Sequence, residues 1–151
     1  MDGEILILLS CGILGIFWGA QLTEAVLLVP YWKSLKADEF FAYYQSQGKR
    51  IHQFFAPLTI GSTLLPFLSV IYLIFFKHEY HILLFTMGLS TLAFFLTFYM
   101  YFKNANRRFT DRALTDEALP YELVRWGNWH WGRVSFEFIA LGASLLWLFI
   151  L

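Results

Sequence analysis

Charged residues are scarce in this 151-residue chain, where they make up 15% of the sequence against 58% hydrophobic and 21% aromatic residues. A soluble globular domain carries about a quarter charged residues. This composition, with a mean hydropathy of +0.56, therefore excludes an ordinary soluble domain. The basic and acidic residues balance to a net charge of zero, so nothing indicates a nucleic-acid partner. We expect a membrane protein whose partner is the lipid bilayer, built as a single domain over residues 1–151.

Cysteine is almost absent as well. Cys11 is the only one, which excludes an internal disulfide and any metal site made from several cysteines. The sequence also lacks the Glu-x-x-His and His-x-x-x-His spacings by which one helix supplies two metal ligands. No lysine or arginine precedes the first apolar run, so we expect no removable signal peptide.

Four apolar segments are long enough to cross a bilayer, which takes about 20 residues. They cover approximately residues 5–29, 54–76, 82–102 and 126–151. The sequence therefore predicts an all-α fold, a bundle of four transmembrane helices. Pro57 and Pro66 lie in the second segment, where we expect kinks rather than breaks, because membrane helices tolerate proline.

The connection between the first two segments has a helical pattern of its own. Its apolar residues recur at roughly helical spacing among charges: Trp32, Leu35, Phe40, Phe41 and Tyr44. This pattern is typical of a short helix lying in the membrane interface. We therefore predict a short interfacial helix between transmembrane helices one and two.

The first segment contains the spacing Gly15-x-x-x-Gly19, preceded by Gly12. Small residues so placed allow two membrane helices to approach closely. Packing within the monomer is the expected use of this motif, and a homo-oligomer is the alternative.

Basic residues are distributed unequally among the connections. Four precede the second segment and five lie between the third and fourth, namely Lys33, Lys36, Lys49, Arg50, Lys103, Arg107, Arg108, Arg112 and Arg125. The connection between the second and third segments holds only Lys77. The positive-inside rule places the basic connections in the cytoplasm. We expect a multi-pass protein of the plasma (inner) membrane with both termini on the non-cytoplasmic side.

The start of the fourth segment is rich in tryptophan and carries charges into the apolar run. Trp126, His130, Arg133 and Glu137 recur at intervals of four, three and four, which places them on one helical face. An aromatic belt at the membrane interface accounts for tryptophans such as Trp129. It does not account for an arginine and a glutamate inside the apolar run, where ionisable residues are rare and usually functional. Mutual neutralisation of these two charges is the alternative explanation.

Every segment contributes a polar group near the same cytoplasmic end. The groups are Gln21 and Glu24 from the first, His52 from the second, Asn106 from the third, and His130 and Arg133 from the fourth. Leaving any of them in lipid is costly, so we expect them to meet inside the bundle. The purely structural alternatives are a Glu24–Arg133 salt bridge and ordinary interfacial decoration.

Two chemistries fit these residue types. Glu24, His52 and His130 have the composition of a centre with two histidines and one carboxylate, which would bind iron or copper. Without a metal, Glu24 and His130 form an acid/base pair, with Arg133 and Asn106 stabilising an anionic oxygen. Aromatic side chains such as Trp126 and Trp129, together with Gln21 and Glu137, would line a pocket for an apolar or aromatic molecule.

The chain resembles the anthrone oxygenase-like (DUF1772) family over its whole length. The resemblance lies in Glu24 of the stretch Gly-x-x-Leu-Thr-Glu-Ala, Pro30 soon after it, Asn106, and the pattern Trp126-x-x-x-His130-x-x-Arg133. It implies a four-span oxidoreductase that converts an anthrone-like or quinol-like substrate with no required cofactor. The rival hypothesis is a non-enzymatic membrane module, such as a small transporter subunit or a lipid-binding scaffold, whose polar residues hold the helices together.

Overall fold

The computed structural model describes residues 2–78 and 81–150, nearly all of them helical and none in a strand. The α-helices are α1 (Asp2–Thr23), α2 (Val29–Ser34), α3 (Ala37–Lys77), α4 (Ile82–Thr97), α5 (Lys103–Thr110) and α6 (Leu119–Ile150). Two π-helical segments, Glu24–Leu28 and Phe98–Phe102, join α1 to α2 and α4 to α5. The predicted all-α fold is confirmed.

Four continuous helices are long and apolar enough to cross a membrane. The first span is Gly3–Ser34, the second is Ala37–Lys77, the third is Ile82–Thr110 and the fourth is Leu119–Ile150. They contain the four predicted segments, except that Leu151 lies outside the described residues. The fourth span packs against the first and the third, and the second span packs against the first and the third. The chain is a multi-pass membrane protein built as a four-helix bundle.

The second span is longer than the sequence suggested, because α3 has 41 residues. At 1.5 Å per residue it measures about 61 Å, about twice the thickness of the hydrocarbon core of a bilayer. The structure does not show the predicted short interfacial helix, since its residues from Ala37 onward form the first half of α3. The helical backbone is interrupted earlier, at Leu35, which is extended. Where α3 begins, the Glu39 side chain accepts a 2.9 Å hydrogen bond from the Lys36 backbone N–H. No proline lies between that point and Pro57, so nothing interrupts the helix before the membrane.

Buried apolar side chains form two clusters at opposite ends of the bundle. The basic-end cluster consists of Val29, Trp32, Phe40, Phe41, Tyr101, Phe102, Ala105, Phe109, Leu119, Leu123 and Trp126. The far-end cluster consists of Ile7, Cys11, Leu14, Leu73, Leu84, Met87, Ala140, Ala143 and Trp147. Between these clusters, the first and fourth spans bury the polar side chains of Gln21, Glu24, His130 and Glu137, and that layer holds the candidate site.

The predicted glycine motif is not used for packing within the monomer. A Cβ atom built on Gly15 or Gly19 would meet no heavy atom of the described residues within 4 Å. Close helix approaches occur at other glycines: a Cβ on Gly127 would lie 3.2 Å from Val29 Cγ1, and a Cβ on Gly61 would lie 3.2 Å from Ile13 Cγ1. Spacing alone did not reveal which glycines face a neighbouring helix.

Candidate functional site

The polar layer lies where the first and fourth spans face each other. Gln21 and Glu24 come from the first span, and His130, Arg133 and Glu137 from the fourth. His130 and Glu137 are fully buried, at 0% exposure, and Glu24 is 7% exposed. The structure therefore brings together the polar residues of these two spans, as their similar depth in the membrane predicted.

The centre of the layer is the pair formed by Glu24 and His130. Glu24 Oε2 lies 3.6 Å from His130 Nε2, which is ion-pair rather than hydrogen-bond distance. His130 Nε2 also lies 3.0 Å from the backbone oxygen of Gln21. A carbonyl oxygen only accepts hydrogen bonds, so Nε2 donates this one and carries a proton. The Nε2–H group therefore points towards the Gln21 carbonyl, and the Glu24 carboxylate lies beside it at the longer distance.

The His130 ring is held from the side by Trp126. The two rings stack with centroids 5.0 Å apart and planes inclined by 21°. Trp126 Nε1 donates a 2.9 Å hydrogen bond to Asn106 Oδ1. Asn106 and Trp126, predicted as catalytic and substrate-binding residues respectively, thus reach Glu24 only through His130. Their geometry is that of supports which orient the histidine ring.

Arg133 lies one turn beyond His130, and aromatic rings hold it. Its guanidinium carbon is 4.6 Å from the ring centroids of both Phe94 and Phe102, a distance at which cation–π attraction operates. The charge of Arg133 acts on both Glu24 and Glu137, yet neither carboxylate makes an ion pair with it among the described residues. Arg133 therefore acts on both carboxylates at distances longer than a salt bridge, and mutual neutralisation with Glu137 stays an alternative explanation for its charge.

Several buried polar atoms in this layer have no hydrogen-bond partner among the described protein groups. They are Gln21 Oε1, His130 Nδ1, Arg133 Nε, and both Glu137 carboxylate oxygens. Buried polar groups that serve only to hold helices together are normally paired with one another. Atoms that stay unpaired inside a bundle are more typical of a site that receives a ligand or moves protons.

A lateral groove of about 540 Å³ opens beside Glu24. Its lining residues come from the first and second spans: Ala20, Thr23, Glu24, Leu27, Leu28, Tyr31, Phe54 and Phe55. The π-helical segment that begins at Glu24 forms much of this wall. Pro30 follows that segment and has no N–H to offer the preceding turn, which accounts for the altered hydrogen-bond ladder there.

Two of the predicted site residues lie elsewhere. The side chain of His52 is exposed, and among the described residues no three His, Cys, Asp or Glu side chains are grouped closely enough to hold a metal ion. Glu24, His52 and His130 therefore do not form the predicted ligand set here. Trp129 stacks flat on Tyr101, with centroids 5.2 Å apart. The prediction that Trp126, Trp129, Gln21 and Glu137 line the pocket is wrong for this groove, whose walls come from the first and second spans.

A second cluster of polar side chains lies at the basic end of the bundle, and the sequence did not reveal it. Tyr101 donates a 2.6 Å hydrogen bond to Glu122 Oε1, and an Arg108 nitrogen lies 2.7 Å from the same oxygen. Glu122 is 8% exposed, nearly as buried as Glu24, and its carboxylate is bound by the side chains of Tyr101 and Arg108. This arrangement ties α5 to α6 and is structural. The hydrophilic stretch before the fourth apolar segment gave no signal that Glu122 would be buried.

No family model, no curated protein and no solved structure matches the chain.

Proposed function

We propose that the protein is a membrane oxidoreductase of the oxygenase type, in which Glu24 removes a proton from an apolar, ring-shaped substrate. The observation that carries this proposal is the buried Glu24–His130 pair beside an apolar groove. A carboxylate and an imidazole in contact are the residue types of general acid–base catalysis. The resemblance to the anthrone oxygenase-like family supports the same reaction class.

Glu24 is the favoured base because it lines the groove, whereas His130 is fully buried behind it. The His130 ring lies 3.6 Å from the Glu24 carboxylate and limits the positions that the carboxylate can take. This division of work corresponds to a base that contacts the substrate and a second residue that positions the base.

In the proposed reaction, Glu24 takes a proton from a methylene group that lies next to aromatic rings conjugated to a carbonyl. The electron pair of the broken C–H bond moves to the carbonyl oxygen, and Arg133, which does not line the groove, offsets the resulting negative charge only from a distance. The enolate carbon then reacts with dioxygen to give a peroxide anion, which takes the proton back from Glu24 to form a hydroperoxide. The hydroperoxide loses water as a second carbonyl forms. For an anthrone, the balance is one substrate and one O₂ giving one anthraquinone and one water.

We place this site in the cytoplasmic leaflet of the plasma membrane. The basic connections flank the end of the bundle nearest to Glu24 and His130, and lysine and arginine concentrate on the cytoplasmic side of membrane proteins. Both termini then lie on the non-cytoplasmic side. The preferred reaction needs no bound cofactor, because dioxygen is the oxidant and the substrate enolate is the reductant.

The test uses the purified protein in lipid nanodiscs with anthrone as the probe. We expect oxygen uptake and anthraquinone formation in equal amounts, faster than in empty nanodiscs. Oxidation no faster than in empty nanodiscs would contradict the oxygenase proposal and favour a non-enzymatic module. The matched control is Glu122→Gln, which changes an equally buried glutamate outside the layer.

A further inference from the structure

The groove beside Glu24 opens sideways, towards the part of the protein that faces lipid. Two of its lining side chains are large, apolar and well exposed, Leu27 at 65% and Phe54 at 58%. Both belong to membrane-spanning helices. A molecule dissolved in the bilayer therefore reaches the groove between the first and second spans without crossing the aqueous phase.

The size and walls of the groove suit a small organic molecule. Its volume of about 540 Å³ falls within the range of roughly 300–1,000 Å³ found for ligand pockets. The aromatic rings of Tyr31, Phe54 and Phe55 lie along it. Phe55 also packs edge-on against the buried ring of Phe17, which fixes one wall to the core of the bundle. Flat aromatic walls favour a flat, ring-containing occupant.

Few polar groups line the groove, and none of them is cationic. Thr23 already donates its hydroxyl to the Gly19 carbonyl, 2.9 Å away. The other polar groups that line the groove are the Tyr31 hydroxyl and the Glu24 carboxylate, and the carboxylate is an acceptor of hydrogen bonds. Because no cationic side chain lines the groove, nothing there would recognise an anionic headgroup.

We propose that the groove is a lateral portal and binding site for a membrane-dissolved, ring-shaped molecule that presents a hydroxyl donor, as a phenol or an enol, to Glu24. The inference rests on the proposed function for its chemistry, but it makes a separate claim about binding and route. The enol tautomer of an anthrone has this shape and this donor, and transfer of its O–H proton to Glu24 gives the same enolate as removal of the methylene proton from the keto tautomer. The parent hydrocarbon anthracene has the same shape and no donor.

Binding is measured without turnover, under nitrogen, by protection of a cysteine from alkylation. Thr23→Cys places a thiol in the groove, and Leu89→Cys places a matched thiol on the exposed lipid face of the third span. Anthrone should slow the alkylation of Thr23→Cys but not that of Leu89→Cys. Anthracene should need about tenfold higher concentration for the same protection, the equivalent of one hydrogen bond of about 1.4 kcal/mol. Equal protection by both compounds would overturn the role of Glu24, and no protection would overturn the portal.

The route is tested by closing it. Ala20→Trp adds a large ring to the groove and leaves the Glu24 and His130 side chains unchanged, and Leu89→Trp adds the same ring to the far lipid face. For anthrone in nanodiscs, kcat/KM should fall at least about tenfold in Ala20→Trp and stay within about twofold in Leu89→Trp. Unchanged kcat/KM in Ala20→Trp would overturn the portal and leave the proposed function standing. Protection of Thr23→Cys in a protein without turnover would reject the proposed function and leave the binding site standing.

Discussion

Replacing Glu24 by glutamine separates chemistry from stability. Glutamine has nearly the shape of glutamate and still offers His130 an oxygen, but it does not act as a base at neutral pH. If Glu24 is the base, turnover of anthrone should fall by about 10²–10⁴-fold, the usual contribution of general base catalysis.

The structure predicts little change in stability for the same variant. The Glu24–His130 contact of 3.6 Å is longer than a hydrogen bond. Polar contacts between membrane helices contribute about 0.6 kcal/mol on average and at most about 1.7 kcal/mol. Removing a charge at a site with 7% exposure also relieves a desolvation cost, which works in the opposite direction. The free energy of unfolding in mixed micelles should therefore change by less than about 1 kcal/mol.

The matched control is Glu122→Gln, which applies the same chemical change at 8% exposure. It weakens the contact with Arg108 and should lower stability by about 1 kcal/mol. Its turnover should stay close to that of the wild type, because Glu122 lies outside the polar layer. Glu24 is not the base if Glu24→Gln keeps more than about a tenth of wild-type turnover, or if the two variants lose activity in parallel with stability.

Three further variants and fusions test separate parts of the account. His130→Gln should lower turnover by about 10–100-fold, since it removes the ring that holds Glu24 in position, and a catalytic group misplaced by about 1 Å costs up to about 100-fold in rate; a larger loss than in Glu24→Gln would make His130 the base. Trp126→Phe keeps the stacking on His130 but loses the hydrogen bond to Asn106, so turnover should fall by about 2–10-fold. Asn106→Ala should add nothing to that loss in the double variant, whereas additive losses would show that the two residues act independently. Reporter fusions within residues 78–81 and at the C-terminus should both report the non-cytoplasmic side, and a cytoplasmic signal at either would reverse the orientation.

The bundle and the meeting of Glu24 with His130 could be predicted because both follow from the cost of placing polar groups in lipid. Four apolar runs fix four spans, and equal depth on separate helices places the polar groups in one layer. The same logic explains why Glu137 is inside the bundle and not in lipid.

The parts that could not be predicted depend on details that residue type and spacing do not encode. The π-helical turn at Glu24 reflects the local effect of Pro30 on the hydrogen-bond ladder, and this turn shapes the groove. Asn106 has a residue type that fits many roles, and only its 2.9 Å contact with Trp126 identifies it as a support. The continuity of α3 was missed because an amphipathic stretch beside a membrane span has the same pattern whether the two helices are separate or joined.

The most direct measurement of the central claim follows proton abstraction without oxygen. Anthrone is incubated under nitrogen with the protein in nanodiscs made in D₂O, and NMR follows the replacement of its methylene protons by deuterium. We predict that wild-type protein accelerates this exchange well above empty nanodiscs, and that Glu24→Gln reduces the acceleration by about 10²–10⁴-fold while Glu122→Gln does not. Exchange at the rate of empty nanodiscs, or equal exchange by wild type and Glu24→Gln, would contradict the assignment of Glu24 as the base.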